Sequence, residues 1–231
     1  MSLLSLCKDY LSSQHEPKFD PKFNPPFSFI ISGSSGSGKT VFVMDFLNNQ
    51  SNLMSTNFEL ILWCSRFHQP ELKENLKHLN VKYIKEQIPS IEDLEKIKKS
   101  NNIENLVMII DDLQHLMVRS DACGQIFSSA RHAKISVFYI TQNFFKVGPS
   151  AQDIKINANY LVIFKNVHNC TQVKLLFQRC CEKWKILWEI YLDATKSAHG
   201  YLMIDLRQRR HNLLTYRTQI KDFLQIGYKI K

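Results

Sequence analysis

Along the chain, short unbroken apolar runs alternate with stretches whose apolar positions recur every three or four residues. "FSFIIS" (27–32) is entered through Pro25-Pro26 and predicts a buried strand. "VFVMDFLNN" follows with Val41, Val43, Met44 and Phe46 at helical spacing. "NFELILWCS" predicts a strand ending near Ser65. "QPELKENLKHL" predicts a helix with Pro70 in its first turn, and "VKYIKE" a short strand. "SIEDLEKIKKS" predicts a helix opened by a serine cap with Asp93 three residues on. "NLVMIIDDLQ" is an apolar strand ending in two carboxylates; "CGQIFSSARHA" is helical, and "KISVFYITQN" and "NYLVIFKN" are strands. One long helical stretch is expected from about residue 170 to 194, with Trp184 and Trp188 a turn apart, and "GYLMIDL" and "LLTYRTQI" close the chain as strands. Alternating helices and strands, the strands nearly all apolar, mean an α/β fold with a mostly parallel sheet covered on both faces.

A chain of 231 residues, 44% hydrophobic, suits one sizeable core, so residues 25–231 are read as a single domain. Residues 1–24 are read as an extended lead-in, ordered only if aromatics such as Phe19 and Phe23 find a groove. No apolar run is long enough to span a bilayer, and Lys8-Asp9 interrupts the apolar N-terminus, so neither a membrane protein nor a signal peptide is expected. Six cysteines without C-x-x-C spacing fit free thiols in a reducing, intracellular setting, with Cys180-Cys181 in helix packing. The formal charge of +9 is uneven. Residues 1–115 hold 12 Lys/Arg against 14 Asp/Glu, whereas 116–231 hold 18 against 7. A basic half suits a phosphate-rich partner or a solvated lysine-rich surface equally.

Between the first strand and helix, "GSSGSGKT" fits G-x-x-x-x-G-K-[ST]. Gly33, Ser34, Ser35, Gly36, Ser37 and Gly38 would turn successive backbone N–H groups into one concavity, with a helix N-terminus behind it. Lys39 would reach the β- and γ-phosphates of a nucleotide and Thr40 would ligate Mg²⁺. Asp111, leaving a buried strand at its carboxyl end, suits the same metal shell, and Asp112 could polarise an attacking water. Gln142, at the end of a later strand, could hydrogen-bond both γ-phosphate and water. This order favours hydrolysis over phosphoryl transfer to a small acceptor, because residues 143–157 carry no arginine for a lid.

These motifs, with "ARHAKISVFYITQNFF", "INANYLVIFKN" and "ATKSAHGYLMIDL", resemble the FtsK–HerA-type genome-packaging ATPases of double-stranded DNA viruses. The likeness is particularly to the short ones of Polinton/Maverick elements, adintoviruses and virophages, which are distantly related to the poxvirus packaging ATPase. The resemblance covers residues 23–220. It implies a RecA-like P-loop NTPase that hydrolyses ATP with Mg²⁺ and moves double-stranded DNA without regard to sequence. It also implies a homo-oligomeric ring, usually a hexamer, working with a capsid or portal component inside the host cell or virion. Such rings usually borrow an arginine from a neighbouring subunit. Before "NANY" this chain offers only Lys155, so Arg131, expected on the same sheet edge as the site, is the candidate. "DLRQRR", with Arg207, Arg209 and Arg210, is a candidate DNA contact, unless these residues pair with Asp205, Asp193 and Glu189. The alternatives are another P-loop enzyme, a nucleotide kinase or helicase-loader-like ATPase, or a slow nucleotide-dependent DNA-binding switch.

Overall fold

The structure is a computed structural model that describes residues 21–67, 70–119, 122–142, 158–166, 170–207, 215–220 and 225–230. Among these residues nine strands form one sheet: β1 (Ser28–Ser32), β2 (Leu60–Ser65), β3 (Val81–Lys85), β4 (Leu106–Asp111), β5 (Ile135–Thr141), β6 (Tyr160–Phe164), β7 (Tyr201–Asp205), β8 (Tyr216–Thr218) and β9 (Ile226–Tyr228). The order is β3-β2-β4-β5-β1-β6-β7-β8-β9. β1 to β6 pair in parallel, and β7, β8 and β9 add as antiparallel strands at one flank. The helices are α1 (Lys39–Asn48), α2 (Gln50–Leu53), α3 (Pro70–Asn75), α4 (Ile91–Asn101), α5 (Gln114–Arg119), α6 (Ala122–His132), α7 (Cys170–Cys180) and α8 (Trp184–Ala194).

The apolar runs are strands because both their faces are covered. Successive side chains alternate between two cores. Leu106, Met108 and Ile110 of β4 join one core with Leu94, Phe127, Phe177 and Leu187 from α4, α6, α7 and α8. Val107 and Ile109 join the other with Phe42, Val43 and Phe46 of α1 and Leu72 of α3. The second core is rich in phenylalanine: Phe29 lies 4.9 Å from Phe138 and 4.9 Å from Tyr160, ring centre to ring centre. Phe23 completes it. Its ring is fully buried, 5.0 Å from Tyr160, and its N–H donates to the Leu53 carbonyl at 2.8 Å. Phe23 is thus docked in this core, and Phe19 lies outside the described residues.

The expected caps and turns are present. Ser90 caps α4, its hydroxyl accepting from the Asp93 N–H at 3.2 Å. The single helix expected over 170–194 is two. In one straight helix, fourteen residues would separate Phe177 from Tyr191 by roughly 21 Å, yet their rings are 5.6 Å apart. The chain folds back after Cys180, so that α7 and α8 both pack onto the sheet. The one-turn α2, the short α5 and the three-residue β9 carry little periodic signal and are additions to the sequence reading. Among the described residues no helix is long and apolar enough to cross a membrane.

Candidate functional site

The parallel strands β1, β4 and β5 end at one edge, and the phosphate loop leaves β1 there. Gly33 is forced at the strand exit: a Cβ would lie 2.6 Å from Phe164 Cβ and 2.7 Å from Ser37 Oγ. Gly36 and Gly38 take left-handed φ angles of 73° and 99°, which reverse the chain so that α1 starts at Lys39. The Gly33 N–H donates to the Thr141 carbonyl at 3.3 Å. This bond ties the start of the loop to the residue immediately before Gln142, whose side chain is exposed.

Lys39 is buried, and its ammonium donates to the carbonyls of Gly33 at 2.9 Å and Ser34 at 2.7 Å. Burial pushes its pKa below the ordinary lysine value, while the negative charges of Asp111 and Asp112 oppose that shift. The Thr40 hydroxyl donates to the Asp111 carboxylate at 3.5 Å. Asp111 is buried; Asp112 is exposed, with a left-handed φ of 53° that turns the chain out of β4. The loop residues 33–40 together with Asp111, Asp112 and Gln142 therefore stand at one edge, as their spacing suggested.

A hydroxyl and a carboxylate at hydrogen-bond distance beside a lysine are hard oxygen donors that fit Mg²⁺, which takes one or two protein ligands and completes its shell with water and phosphate. Among the described residues no group of three or more His, Cys, Asp and Glu forms a metal cage.

Arg131 is a correction. It ends α6, just before β5 begins at Ile135, and Ile135 pairs with Leu106, the first residue of β4. Arg131 lines a small cleft with Pro26, Phe27 and Asn159, where β1 and β6 begin. That is the amino edge of the parallel strands, opposite the phosphate loop, so Arg131 does not enter its own subunit's site. Arg66 does lie on the carboxyl edge, directly after Ser65, which pairs with Asp111. Its guanidinium is 3.5 Å from Glu86 and stacks on Phe67. Lys155 falls outside the described residues.

Other parts of the motifs prove architectural. Asn159 of "NANY" accepts from the Ser28 N–H at 2.9 Å, and its own N–H donates to Ser28 Oγ at 3.0 Å, pinning β6 to β1. Arg207 of "DLRQRR" forks onto Asp205 at 3.0 and 2.8 Å and lies 4.4 Å over the Tyr160 ring. Arg209 and Arg210 lie outside the described residues. One loop neighbour carried no signal beyond its place in "KSAHGYLMIDL": His199 Nδ1 is 3.2 Å from the Ser37 carbonyl oxygen.

The family model described as Poxvirus A32 protein matches residues 17–173, more than half of the chain. In shape the chain is similar to the genome packaging NTPase B204 from Sulfolobus turreted icosahedral virus 2. Against its structure with AMPPCP the TM-score is 0.53 at 16% identity, over 83% of this chain and 96% of that one. Against its structure with ATP-gammaS the score is 0.52 at 15% identity, over the same shares. Likeness at this identity concerns the fold, a P-loop NTPase sheet. Among curated proteins none matches the sequence.

Proposed function

The chain belongs to the Poxvirus A32 protein family, and from that membership and the geometry of the loop we propose that it is a viral genome-packaging ATPase that drives double-stranded DNA into a capsid. The observation that carries the reading is the meeting of Thr40 and Asp111 at 3.5 Å beside the buried ammonium of Lys39. A hydroxyl, a carboxylate and a lysine on one strand edge, behind a helix N-terminus, are what a nucleoside triphosphate requires of a protein.

In this reading the N–H groups of the loop bind the phosphates, and Lys39 places its charge on the β- and γ-groups. Thr40 and Asp111 would hold Mg²⁺, which would supply positive charge against the phosphate oxygens. Asp112 accepts a proton from the attacking water as the new phosphorus–oxygen bond forms and ADP leaves. Gln142, directly after the Thr141 whose carbonyl accepts from the Gly33 N–H, orients that water and contacts the γ-phosphate. The working form is a homo-oligomeric ring, a hexamer, acting with a capsid or portal component. It holds duplex DNA through phosphates, without reading bases, as a packaging motor must accept any sequence.

The test is steady-state formation of ADP and of free phosphate by the purified protein, alone, with duplex DNA and with nucleoside monophosphates as acceptors. A motor forms both faster with duplex of any sequence. Faster ADP formation with a small acceptor, the phosphoryl group passing to it rather than to water, would make it a kinase, and stimulation by neither a slow switch.

A further inference from the structure

We infer that His199 is a positioning residue of the phosphate loop, aiming the Gly38 amide at the bound phosphates; the inference rests on the nucleotide reading above. His199 lies between α8 and β7, far from the loop in sequence. Its Nδ1 stands 3.2 Å from the carbonyl oxygen of Ser37. A carbonyl only accepts, so Nδ1 carries the hydrogen and donates it.

The consequence follows from the peptide plane. In a trans peptide the C=O and N–H point in opposite directions. Holding the Ser37 carbonyl on the histidine turns the N–H of Gly38 away from it and into the loop. A Cβ on Gly38 would come within 3.1 Å of His199 Nδ1 and 3.3 Å of its Cβ, so the glycine that permits a φ of 99° also permits the approach. His199 itself takes a left-handed φ of 58°, a conformation that few residues other than glycine, asparagine and aspartate share with histidine. The turn that holds it is tight: the Gly200 N–H donates to the Ser197 carbonyl at 3.0 Å, and a Cβ on Gly200 would lie 2.6 Å from the Ala194 carbonyl oxygen. Two residues on, Tyr201 begins β7 and packs 4.9 Å from Phe42 of α1. The antiparallel flank of the sheet thus reaches the phosphate loop from behind, through one donor hydrogen.

Two variants separate the donor from the backbone. His199→Asn keeps a short side chain with an N–H donor and tolerates the left-handed backbone. His199→Gly keeps the backbone and removes the donor. Binding of ATP and of tripolyphosphate, which has no base, is titrated by calorimetry on the full chain, with thermal unfolding measured without ligand. The expected result is wild-type affinity within twofold for Asn. For Gly, affinity should fall about fivefold for both ligands, the worth of one neutral hydrogen bond. Gly at wild-type affinity, Asn weakened fivefold or more, or a loss seen with ATP and not with tripolyphosphate would each overturn the inference; the last would put the ring against the base. Should the Gly variant not fold, the Asn variant decides alone. A wild-type protein that binds neither ligand would instead remove the nucleotide reading itself.

Discussion

The Thr40 hydroxyl meets the Asp111 carboxylate at 3.5 Å although the strands that deliver them are not neighbours. β5 lies between β1 and β4, pairing Ser32 with Thr141 on one side and Asp111 with Ile140 on the other. The contact is therefore made across β5, from the first turn of α1, which begins directly after the left-handed Gly38. Removing the carboxylate charge should separate metal-dependent from metal-independent binding. Asp111→Asn is expected to lower the affinity for Mg²⁺–ATP tenfold or more, while affinity for ATP in excess chelator changes less than threefold. Equal losses in both conditions would place Asp111 outside the metal shell.

Asp112 tests the chemistry. Its φ of 53° is one that asparagine also tolerates, so Asp112→Asn leaves the backbone in place. An amide cannot accept the proton of the attacking water. Turnover should fall on the order of a hundredfold or more with ATP affinity unchanged, the loss expected for a general base. Wild-type turnover would pass that role to another residue.

The same pair shows what the sequence can and cannot carry. Strand, glycine loop and helix are local, and each is written in consecutive residues, so 33–40, Asp111, Asp112 and Gln142 could be placed on one edge from their spacing alone. The strand that puts Gln142 on that edge also puts Arg131 on the other one, because Arg131 precedes β5 and Gln142 follows it; expecting both on one edge overlooked the strand between them. His199 escaped because its contact spans more than 160 residues and is made to a backbone carbonyl, for which no residue pattern exists. The break between α7 and α8 is likewise tertiary, because both halves have helical periodicity and only the sheet beneath them requires the turn.

Phe23 provides a stability test. Its ring meets Phe27, Phe29, Phe46 and Tyr160 with centroids 5.0 to 5.7 Å apart. Truncation leaves a cavity that the rigid rings around it cannot fill. Phe23→Ala should cost about 3–5 kcal/mol in denaturant unfolding. A loss under 1 kcal/mol would mean that the segment before β1 docks only loosely.

Cys64 should be chemically silent. It is fully buried in β2, and burial pushes its thiol up to about 12 from the ordinary 9.0. Because the folded value is the higher one, the stabilisation is intact below about pH 9 and is lost as pH rises from there towards 12. Alkylation at pH 8.5 followed by peptide mass spectrometry should label the exposed Cys170 and leave Cys64 unmodified until the protein unfolds. Rapid labelling of Cys64 under native conditions would show that β2 opens.

Arg207 separates a structural arginine from a DNA contact. Its guanidinium forks onto the buried Asp205 through Nε and Nη2 and covers the Tyr160 ring, so two of its donors and one face are engaged within the fold. A phosphate contact through that fork would have to break a charge-assisted pair first. Arg207→Ala should therefore lower stability by roughly 1.5–3 kcal/mol, the range for hydrogen bonds to charged groups. In titrations of labelled duplex at several salt concentrations it should leave the log–log slope unchanged. The Arg209→Ala/Arg210→Ala variant should lower that slope by about 1 for each arginine that touches a phosphate. A slope that falls by about 1 with Arg207→Ala, at unchanged stability, would mean that the Asp205 pair opens on DNA and that Arg207 belongs to the motor's grip.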